Sequence, residues 1–522
     1  MLGSAWSARG LAIIAGVCAA LAFPPFGFLP GLLGYGLLLR LAERPGERPL
    51  RSAFFMGWLA GIGYFSVGVW WIVEAFLVDA EVHGWMAPFA LFLMAGGLAI
   101  FWGLATLIYR AIGSVGGGRI LVFAGTLSGF EWLRGHVFTG FPWNLPGETW
   151  AAGSPLSQVA ALVGAYGLTF LTVYVSAAPA TLLDIETKRT KFIPIALAGL
   201  CLVSGYVWGA MRLATAPQTS GSAPLIRLVQ ANIDQKDKWR PENLSEIVAT
   251  YLRLSIITGP QAPDIVVWPE GALPVVVEDL FAGDSRYRVA ITRSFSPGQT
   301  LLMGSNRAEL GPAREVAYFN SLIAMRAESG RLVRIGQYDK HRLVPFGEFL
   351  PFGDLAGRLG IRALVHMPGD FTAGPDPRPL ALAGLPVVQP LICYEAVFPG
   401  FANDARRRSG VRAAWILNIS NDAWFGATSG PWQHLNIAGY RAIEEGLPIA
   451  RATPTGVTAM IDGYGRVQQK IGLGREGILD ARLPPALIAT PYARHGEMAF
   501  WLMVLGAGFV PMWARRPSLK FG

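Results

Sequence analysis

Only three cysteines occur in 522 residues. Cys18 and Cys201 fall inside apolar runs, which leaves Cys393 alone in the more polar part of the chain. Such a set builds no disulfide framework, so cysteine usage does not fix the compartment. A lone domain cysteine stays a thiol. Histidine is nearly as scarce: the six, at 83, 136, 341, 366, 434 and 495, are too scattered for a zinc site. No Walker loop, dinucleotide fingerprint, metal-ligand cluster or internal repeat is present. Charge is thin as well. Asp, Glu, Lys and Arg make up 15% of the chain, against about a quarter in an ordinary soluble protein.

That deficit is uneven, and its distribution divides the chain. Residues 1–213 and 497–515 are apolar and rich in Gly and Trp, while the stretch between them has the composition of a soluble domain. The formal net charge of +9 suggests nucleic acid at first sight. In the apolar part, however, Arg and Lys gather in short loops between apolar runs, a mark of membrane topology rather than of a phosphate-binding face. No nucleic-acid partner is expected.

The run Gly10–Phe23 after Arg9 has the look of a secretory signal, but no small-residue cleavage site and polar mature region follow it. Pro24-Pro25-Phe26-Gly27 makes a tight break instead, and Leu29–Leu41 is a second apolar run. These two are short for a span of ~20 residues. Further spans are expected at about 53–75, 86–109, 119–134, 158–183, 192–213 and 497–513. Glu131 and Arg134 end the fifth, where ionisable residues face a bundle interior or an interface.

Arg40, Arg44, Arg48 and Arg51 lie between spans two and three, Arg110 and Arg119 between four and five, and Lys188, Arg189 and Lys191 between six and seven. Arg515, Arg516 and Lys520 follow the last span, whereas the alternate loops are poor in basic residues. The positive-inside rule then places both termini in the cytoplasm and the domain between spans seven and eight outside it. The expected division is transmembrane helices over 1–213, an extracytoplasmic domain over 214–496, and a last helix with a cytoplasmic tail over 497–522. The loop Phe138–Gly147 falls on the domain's side. Its aromatics suit an interfacial belt or, alternatively, a substrate contact, and its Pro and Gly content suggests a fixed loop.

In the middle part, apolar runs at 226–233, 265–268, 300–304, 321–325, 386–392, 413–419, 450–451 and 456–461 read as strands. Helical patterns at 243–257 and 434–445 intervene, and 321–326 with 332–337 reads as a hairpin. The mixture predicts a layered α/β or α+β fold.

Three stretches carry chemistry. Pro390-Leu-Ile-Cys-Tyr-Glu-Ala-Val-Phe398 delivers Cys393 from the end of an apolar strand. Alone, such a cysteine is more often a small core hydrophobe than a nucleophile. Ile265-Val-Val-Trp-Pro-Glu270 and Tyr338-Asp-Lys340-His-Arg-Leu-Val-Pro-Phe-Gly-Glu348 change that balance, each delivering an ionisable residue from a strand end or adjoining loop. A thiol at its free pKa is mostly protonated near neutrality and needs a base or a cation beside it. Glu270, on an approach stiffened by Pro269, suits the base. Lys340 supplies the positive charge that an oxyanion requires. Singly, Glu270 reads as a loop carboxylate and Lys340 as half of a solvated ion pair. The joint set makes coincidence a poor explanation.

Glu, Lys and Cys in that order resemble the catalytic set of the nitrilase, or carbon–nitrogen hydrolase, superfamily over residues 220–490. With its spans, the chain resembles the bacterial apolipoprotein N-acyltransferase family over nearly its whole length. Gln230-Ala-Asn-Ile-Asp-Gln-Lys-Asp-Lys-Trp239, Trp268-Pro-Glu270, Tyr338-Asp-Lys340, Pro345-Phe-Gly-Glu348, Cys393-Tyr-Glu395 and Asn418-Ile-Ser-Asn-Asp-Ala-Trp-Phe-Gly426 carry the likeness. The resemblance implies a polytopic helical bundle of about eight spans joined to an αββα sandwich. It implies Glu270 as general base, Lys340 as oxyanion stabiliser and Cys393 as nucleophile. Glu348 is implied as a second glutamate supporting the lysine, and Trp239, Tyr394 and Glu395 as lining the site. The implied reaction passes an acyl chain from a membrane phospholipid to Cys393, then to the N-terminal amine of a diacylglyceryl-cysteine apolipoprotein. It needs no metal or other cofactor. Its partners are the phospholipid donor, the apolipoprotein acceptor and the bilayer, with the protein expected as a monomer in the inner membrane.

The segment 346–355, with three phenylalanines among Gly and Pro, suits a lipid-touching lid or a core-packed loop. Two competing functions remain. One is a membrane-tethered amidase whose thioester is taken by water, for which eight spans are superfluous. The other is a transporter or receptor with an inactive nitrilase-like sensor, disfavoured by few intramembrane charges and by a complete Glu-Lys-Cys set.

Overall fold

A computed structural model describes residues 5–514 except 114, 186, 284, 311–314 and 351–369. The chain forms two compact units, Met1–Phe76 with Val82–Ala216 and Thr490–Gly522, and Leu77–Glu81 with Pro217–Ala489. Of the expected lid segment 346–355, residues 351–355 lie outside the described residues.

The first unit is helical. Ala5–Ala20, Gly34–Ala42, Pro49–Gly68, Ala87–Ile112, Arg119–His136, Ala160–Ala177, Lys188–Ala214 and Met498–Ala514 cover the eight apolar stretches. Among the described residues three helical segments are long and apolar enough to cross a membrane: Ala80–Ile112, Leu156–Leu183 and Lys188–Ala214. Pro24 and Gly27, the latter at φ 65°, make the expected break after the first helix.

Glu131 and Arg134 turn inward and pair with each other, Trp102 Nε1 donates to Glu131 Oε1 at 2.7 Å, and the guanidinium lies 5.0 Å from the Phe65 ring. Burying either charge alone would cost several kcal/mol; paired, they can sit in the helix core. At one end of the unit, Arg119 reaches Glu43 at 2.9 Å and Asp184 at 2.8 Å, and Arg40 reaches Asp184 at 2.6 Å. Elsewhere Trp143 packs on Trp71 at 4.7 Å, and Tyr64 Oη donates to the Asn144 carbonyl at 2.7 Å. The loop Phe138–Gly147 is fixed, as its composition suggests. Its aromatics, however, do not form a belt: Trp143 is buried, Phe141 half-buried, and Phe138 alone is 90% exposed. The Gly147 N–H donates to Thr169 Oγ1 at 3.0 Å, so the loop returns into the helices instead of lying along an interface.

The second unit contains two sheets. Its strands are β1 (Leu225–Gln230), β2 (Ile265–Trp268), β3 (Thr300–Leu310), β4 (Val316–Glu328), β5 (Arg331–Asp339), β6 (Val388–Ile392), β7 (Trp415–Ile419), β8 (Ile449–Ala452), β9 (Thr458–Ile461), β10 (Val467–Ile471) and β11 (Gly477–Arg482). One sheet runs β11-β1-β2-β3-β4-β5 and the other β10-β9-β8-β7-β6. In β2, Ile265 and Val267 enter the core shared with β6, β7 and β8, while Val266 and Trp268 enter a second core with helix Leu244–Ser255. A strand covered on both faces reads as a continuous apolar run rather than an alternation, which is why Ile-Val-Val-Trp is legible as a strand. The predicted hairpin is the antiparallel pair β4–β5. Strands β10 and β11 went unread. Val467–Ile471 is mostly exposed and polar, and offers no run for a pattern to register.

Candidate active site

The parallel strands explain where the chemistry gathers. β1, β2 and β3 run parallel, and so do β6, β7 and β8; β5 regains the direction of β3 through two antiparallel pairings. Loops leaving the carboxyl ends of such strands share one edge, the usual place for a site in an α/β sheet. Glu270 follows β2, Lys340 follows β5, Cys393 follows β6 and Asn421 follows β7.

Lys340 is buried, and its Nζ donates to Glu270 Oε1 at 3.2 Å and to Glu348 Oε1 at 2.9 Å. Burial alone would lower its pKa, but Glu270 and then Glu348 outweigh it, so the ammonium is held firmly protonated. Asn320, on β4, spends both hydrogens of its amide on the same carboxylates, at 2.7 Å to Glu270 and 2.8 Å to Glu348. The Asn421 N–H donates to the other oxygen of Glu270 at 2.6 Å, and the Val344 N–H to the other oxygen of Glu348 at 2.8 Å. Two carboxylates beside one lysine would repel; the amides of Asn320, Asn421 and Val344 offset that cost.

Glycine is required behind this cluster. A Cβ at Gly304 in β3 would stand 2.4 Å from the Pro269 carbonyl oxygen and 2.6 Å from Glu270 Cα. The strand therefore presses directly on the turn that carries Glu270.

Cys393 opens the short 3₁₀ turn Cys393–Val397 with φ at 47°. A side chain in this left-handed region costs about 1–3 kcal/mol and persists only where its surroundings dictate it. Burial first and Glu270 second push the thiol's pKa up, and Lys340 and a hydrogen bond with the Ser420 side chain offset them only in part. The resting thiol is thus protonated and needs a base to become a nucleophile.

Glu395 braces this turn. It is fully buried, and its oxygens accept from Tyr338 Oη at 2.8 Å, the His341 N–H at 2.7 Å, the Arg342 N–H at 3.2 Å and the Ile392 N–H at 2.8 Å. Burial raises its pKa above the ordinary carboxylate value, and those bonds counter it in part. Glu395 thereby joins the loop after Lys340 to the residue before Cys393. Tyr394 packs edge-on against Phe398 at 5.0 Å, and Arg342 covers the same Phe398 ring at 4.2 Å. Trp239 is half-buried, with Lys238 Nζ 5.6 Å from its ring.

Three contributors escaped sequence reasoning. Asn320 lies within a strand and carries no local signal. Asn421 sits inside a recognised motif, yet acts through its backbone, which no side-chain pattern announces. Lys238, beside Trp239, is 4% exposed, and its Nζ lies 3.2 Å from where a Gly271 Cβ would be. Burial pulls its pKa down to about 8, with Glu270 opposing.

The chain is also similar to known proteins. Residues 15–178 match a family model described as the apolipoprotein N-acyltransferase N-terminal domain, and residues 225–492 match one described as carbon-nitrogen hydrolase. An apolipoprotein N-acyltransferase of Caulobacter vibrioides is 51% identical over 97% of this chain and 94% of its own. One of Allorhizobium ampelinum is 38% identical over 96% of this chain and 94% of its own. Among solved structures, a mutant amidase of the nitrilase superfamily from Nesterenkonia AN1 aligns over 54% of this chain and 95% of its own, at 20% identity and a TM-score of 0.35.

Proposed function

Because the chain belongs to the apolipoprotein N-acyltransferase family, we propose that its Glu270, Lys340 and Cys393 carry out the family's acyl transfer in two halves. The enzyme acts in lipoprotein maturation at a membrane. In the first half, the carboxylate of Glu270 takes the thiol proton as Cys393 Sγ attacks the ester carbonyl carbon of a phospholipid. The new oxyanion lies toward Lys340. Its collapse breaks the ester C–O bond, the proton passes from Glu270 to the departing alkoxide, and a lysophospholipid leaves. In the second half, the free α-amine of a diacylglyceryl-cysteine attacks the thioester, Glu270 takes the amine proton, and collapse breaks the C–S bond. The proton returns to sulfur, and the product is an amide. Electrons and protons balance without a cofactor.

The observation that carries the assignment of roles is the Lys340 ammonium clamped between Glu270 and Glu348, with both Glu270 and Lys340 acting electrostatically on Cys393. In this reading Glu348 holds the lysine in place. Tyr394 and Trp239 line the pocket, and Glu395 supports it from behind.

The eight apolar helices form the membrane part over 1–213 and 497–522, and the residues between them in the chain, 214–496, form the catalytic part. The ion pairs among Arg40, Glu43, Arg119 and Asp184 support this arrangement, because they bring the second, fourth and sixth inter-helix connections together. The contacts of Trp143 with Trp71 do the same for the third and fifth. With the basic connections facing the cytoplasm, the catalytic part faces the periplasm of a bacterial inner membrane, and the protein works as a monomer.

The test is direct. Purified protein given labelled phospholipid alone should accumulate a thioester on Cys393, seen as a mass increase on its peptide and removed by neutral hydroxylamine. A peptide with a free N-terminal diacylglyceryl-cysteine should discharge it in ping-pong fashion, and its N-acetylated form should not. Release as free fatty acid at the same rate with or without peptide would instead mean a hydrolase.

A further inference from the structure

One buried charge has no task in the two-step chemistry. Lys238 closes the single-turn helix Gln235–Lys238, which follows β1. Lys236 and Asp237 on the same turn are exposed, as charged side chains ordinarily are. Lys238 is 4% exposed, although its four-carbon stem could carry the ammonium out to water. Beyond the Trp239 ring, 5.6 Å away, its Nζ has neither a hydrogen bond nor an ion pair among the described residues.

Gln235, three residues earlier, repeats the pattern. It is 5% exposed, its Oε1 accepts from Asn421 Nδ2 at 3.3 Å, and its Nε2 has no hydrogen-bond partner among the described residues. Residues three apart on a helical turn are neighbours, and buried donors are nearly always satisfied. Two adjacent buried donors without acceptors point to an acceptor that comes from outside the chain.

Both donors border the Glu270 turn. Lys238 Nζ stands 3.2 Å from where a Cβ on Gly271, the residue after Glu270, would lie. Gln235 holds Asn421, whose own N–H holds Glu270 Oε2 at 2.6 Å. The cluster they border sets two carboxylates, Glu270 and Glu348, against one ammonium, Lys340. A phospholipid brings a phosphodiester, a further anion, to this excess of negative charge, and like charges in a buried site repel. The acceptor's amine gains nothing from a second cation, so the unsatisfied pair suits the donor.

We propose that Lys238 and Gln235 form the subsite for the phosphodiester of the acyl donor, the ammonium as counter-charge and the Gln235 amide as a neutral second donor. A lysine binds phosphate as a point charge. Burial lowers the Lys238 pKa to about 8, which leaves it protonated at pH 7. The cost of burying it unpaired is then offset when the donor is bound. The inference rests on the acyl-transfer reading, in which the donor is a phospholipid.

The experiment uses full-length protein in non-ionic detergent micelles and measures single-turnover thioester formation on Cys393 against donor mole fraction, with a thermal melt of each variant. One donor is phosphatidylglycerol; the other is a p-nitrophenyl ester of the same fatty acid, which has no phosphate. Lys238→Met should lower the initial slope with phosphatidylglycerol by about 10–100-fold, through weaker half-saturation and not through the saturating rate. The slope with the nitrophenyl ester should fall at least tenfold less, as expected for a lost charge-assisted contact to phosphate. Lys238→Arg, which keeps the charge, should retain most of the preference, and Gln235→Leu should lose about 2–10-fold of it. Inorganic phosphate replacing chloride at equal ionic strength should compete weakly, because it lacks the lipid that tethers the headgroup.

Equal losses with both donors, or a loss confined to the saturating rate, would overturn the proposal. Strong competition by inorganic phosphate that Lys238→Met abolishes would assign the subsite to free phosphate and overturn the headgroup assignment. If Lys238→Met does not fold, Gln235→Leu decides by the same comparison of donors. Wild-type protein that forms no Cys393 thioester from phosphatidylglycerol would instead overturn the acyl-transfer reading itself.

Discussion

Lys340 touches two carboxylates at once, and each residue of the set should fail in its own way when replaced. Cys393→Ala should abolish acyl-enzyme formation altogether. Glu270→Gln keeps the shape and removes the proposed base; Lys340→Met removes the cation proposed to stabilise the oxyanion. Losing one such donor costs roughly 10²–10³ in rate, and near-normal turnover by either variant would show the roles misassigned. Lys238 gives a prediction of stability instead. Its folded-state pKa of about 8 lies below the ordinary 10.5, so the folded protein carries the cost of its ammonium at pH 7. That cost is complete below pH 8, fades as pH rises and vanishes above 10.5, where the unfolded chain is neutral too. Lys238→Met should therefore stabilise the protein at pH 7 by roughly 2–3 kcal/mol, read as a higher melting temperature. The gain should shrink between pH 8 and pH 10.5. A gain independent of pH would point to packing instead of charge.

At the scale of elements, the site depends on how closely β3 lies against the turn after β2. Gly304→Ala would place a methyl group against the backbone of Pro269 and Glu270, where no flexible side chain can give way. Overpacking of this kind costs about 1–3 kcal/mol, and here the displaced backbone carries Glu270, the proposed general base. The expected outcome is a lower melting temperature with a disproportionate loss of thioester formation. A variant destabilised but fully active would show that the Glu270 turn moves without consequence. The same logic explains Gly374, whose Cβ would lie 2.2 Å from the carbonyl oxygen of Asp339, the residue before Lys340. Asp339 is itself anchored, accepting from Ser321 Oγ at 2.5 Å and pairing with Arg307 at 3.1 Å. Both ends of the Glu–Lys pair are thus fixed by backbone contact as much as by charge.

For the whole molecule, the clearest test concerns topology. A cysteine placed between Thr187 and Lys191 should be shielded from an impermeant thiol reagent in intact cells, while one at Thr219 should be labelled. The reverse pattern would overturn the eight-helix membrane arrangement. What the sequence determined by itself was whatever is written in contiguous residues. Apolar runs separated by basic loops marked the helices, because hydropathy is a local sum. Ile265–Trp268 was legible as a strand because burial on both faces demands an unbroken apolar run, and Val388–Ile392, interrupted by Gln389, was legible from the apolar residues around it. Glu270 and Cys393 stood out as candidates because each follows a largely apolar strand, and Lys340 because it stands in a distinctive motif. Only the tertiary structure decided the rest. Asn320 belongs to the site because the β4–β5 pairing sets it beside Lys340, whose N–H donates to its carbonyl at 2.8 Å. Asn421 contributes a backbone N–H that every residue type but proline possesses. Trp143 turned inward, although a run of loop aromatics reads equally well as an interfacial belt. Arg451 reaches Asp422 from β8, 29 positions further along the chain. Contacts of this kind depend on register and packing between distant segments, and no local pattern of residues encodes them.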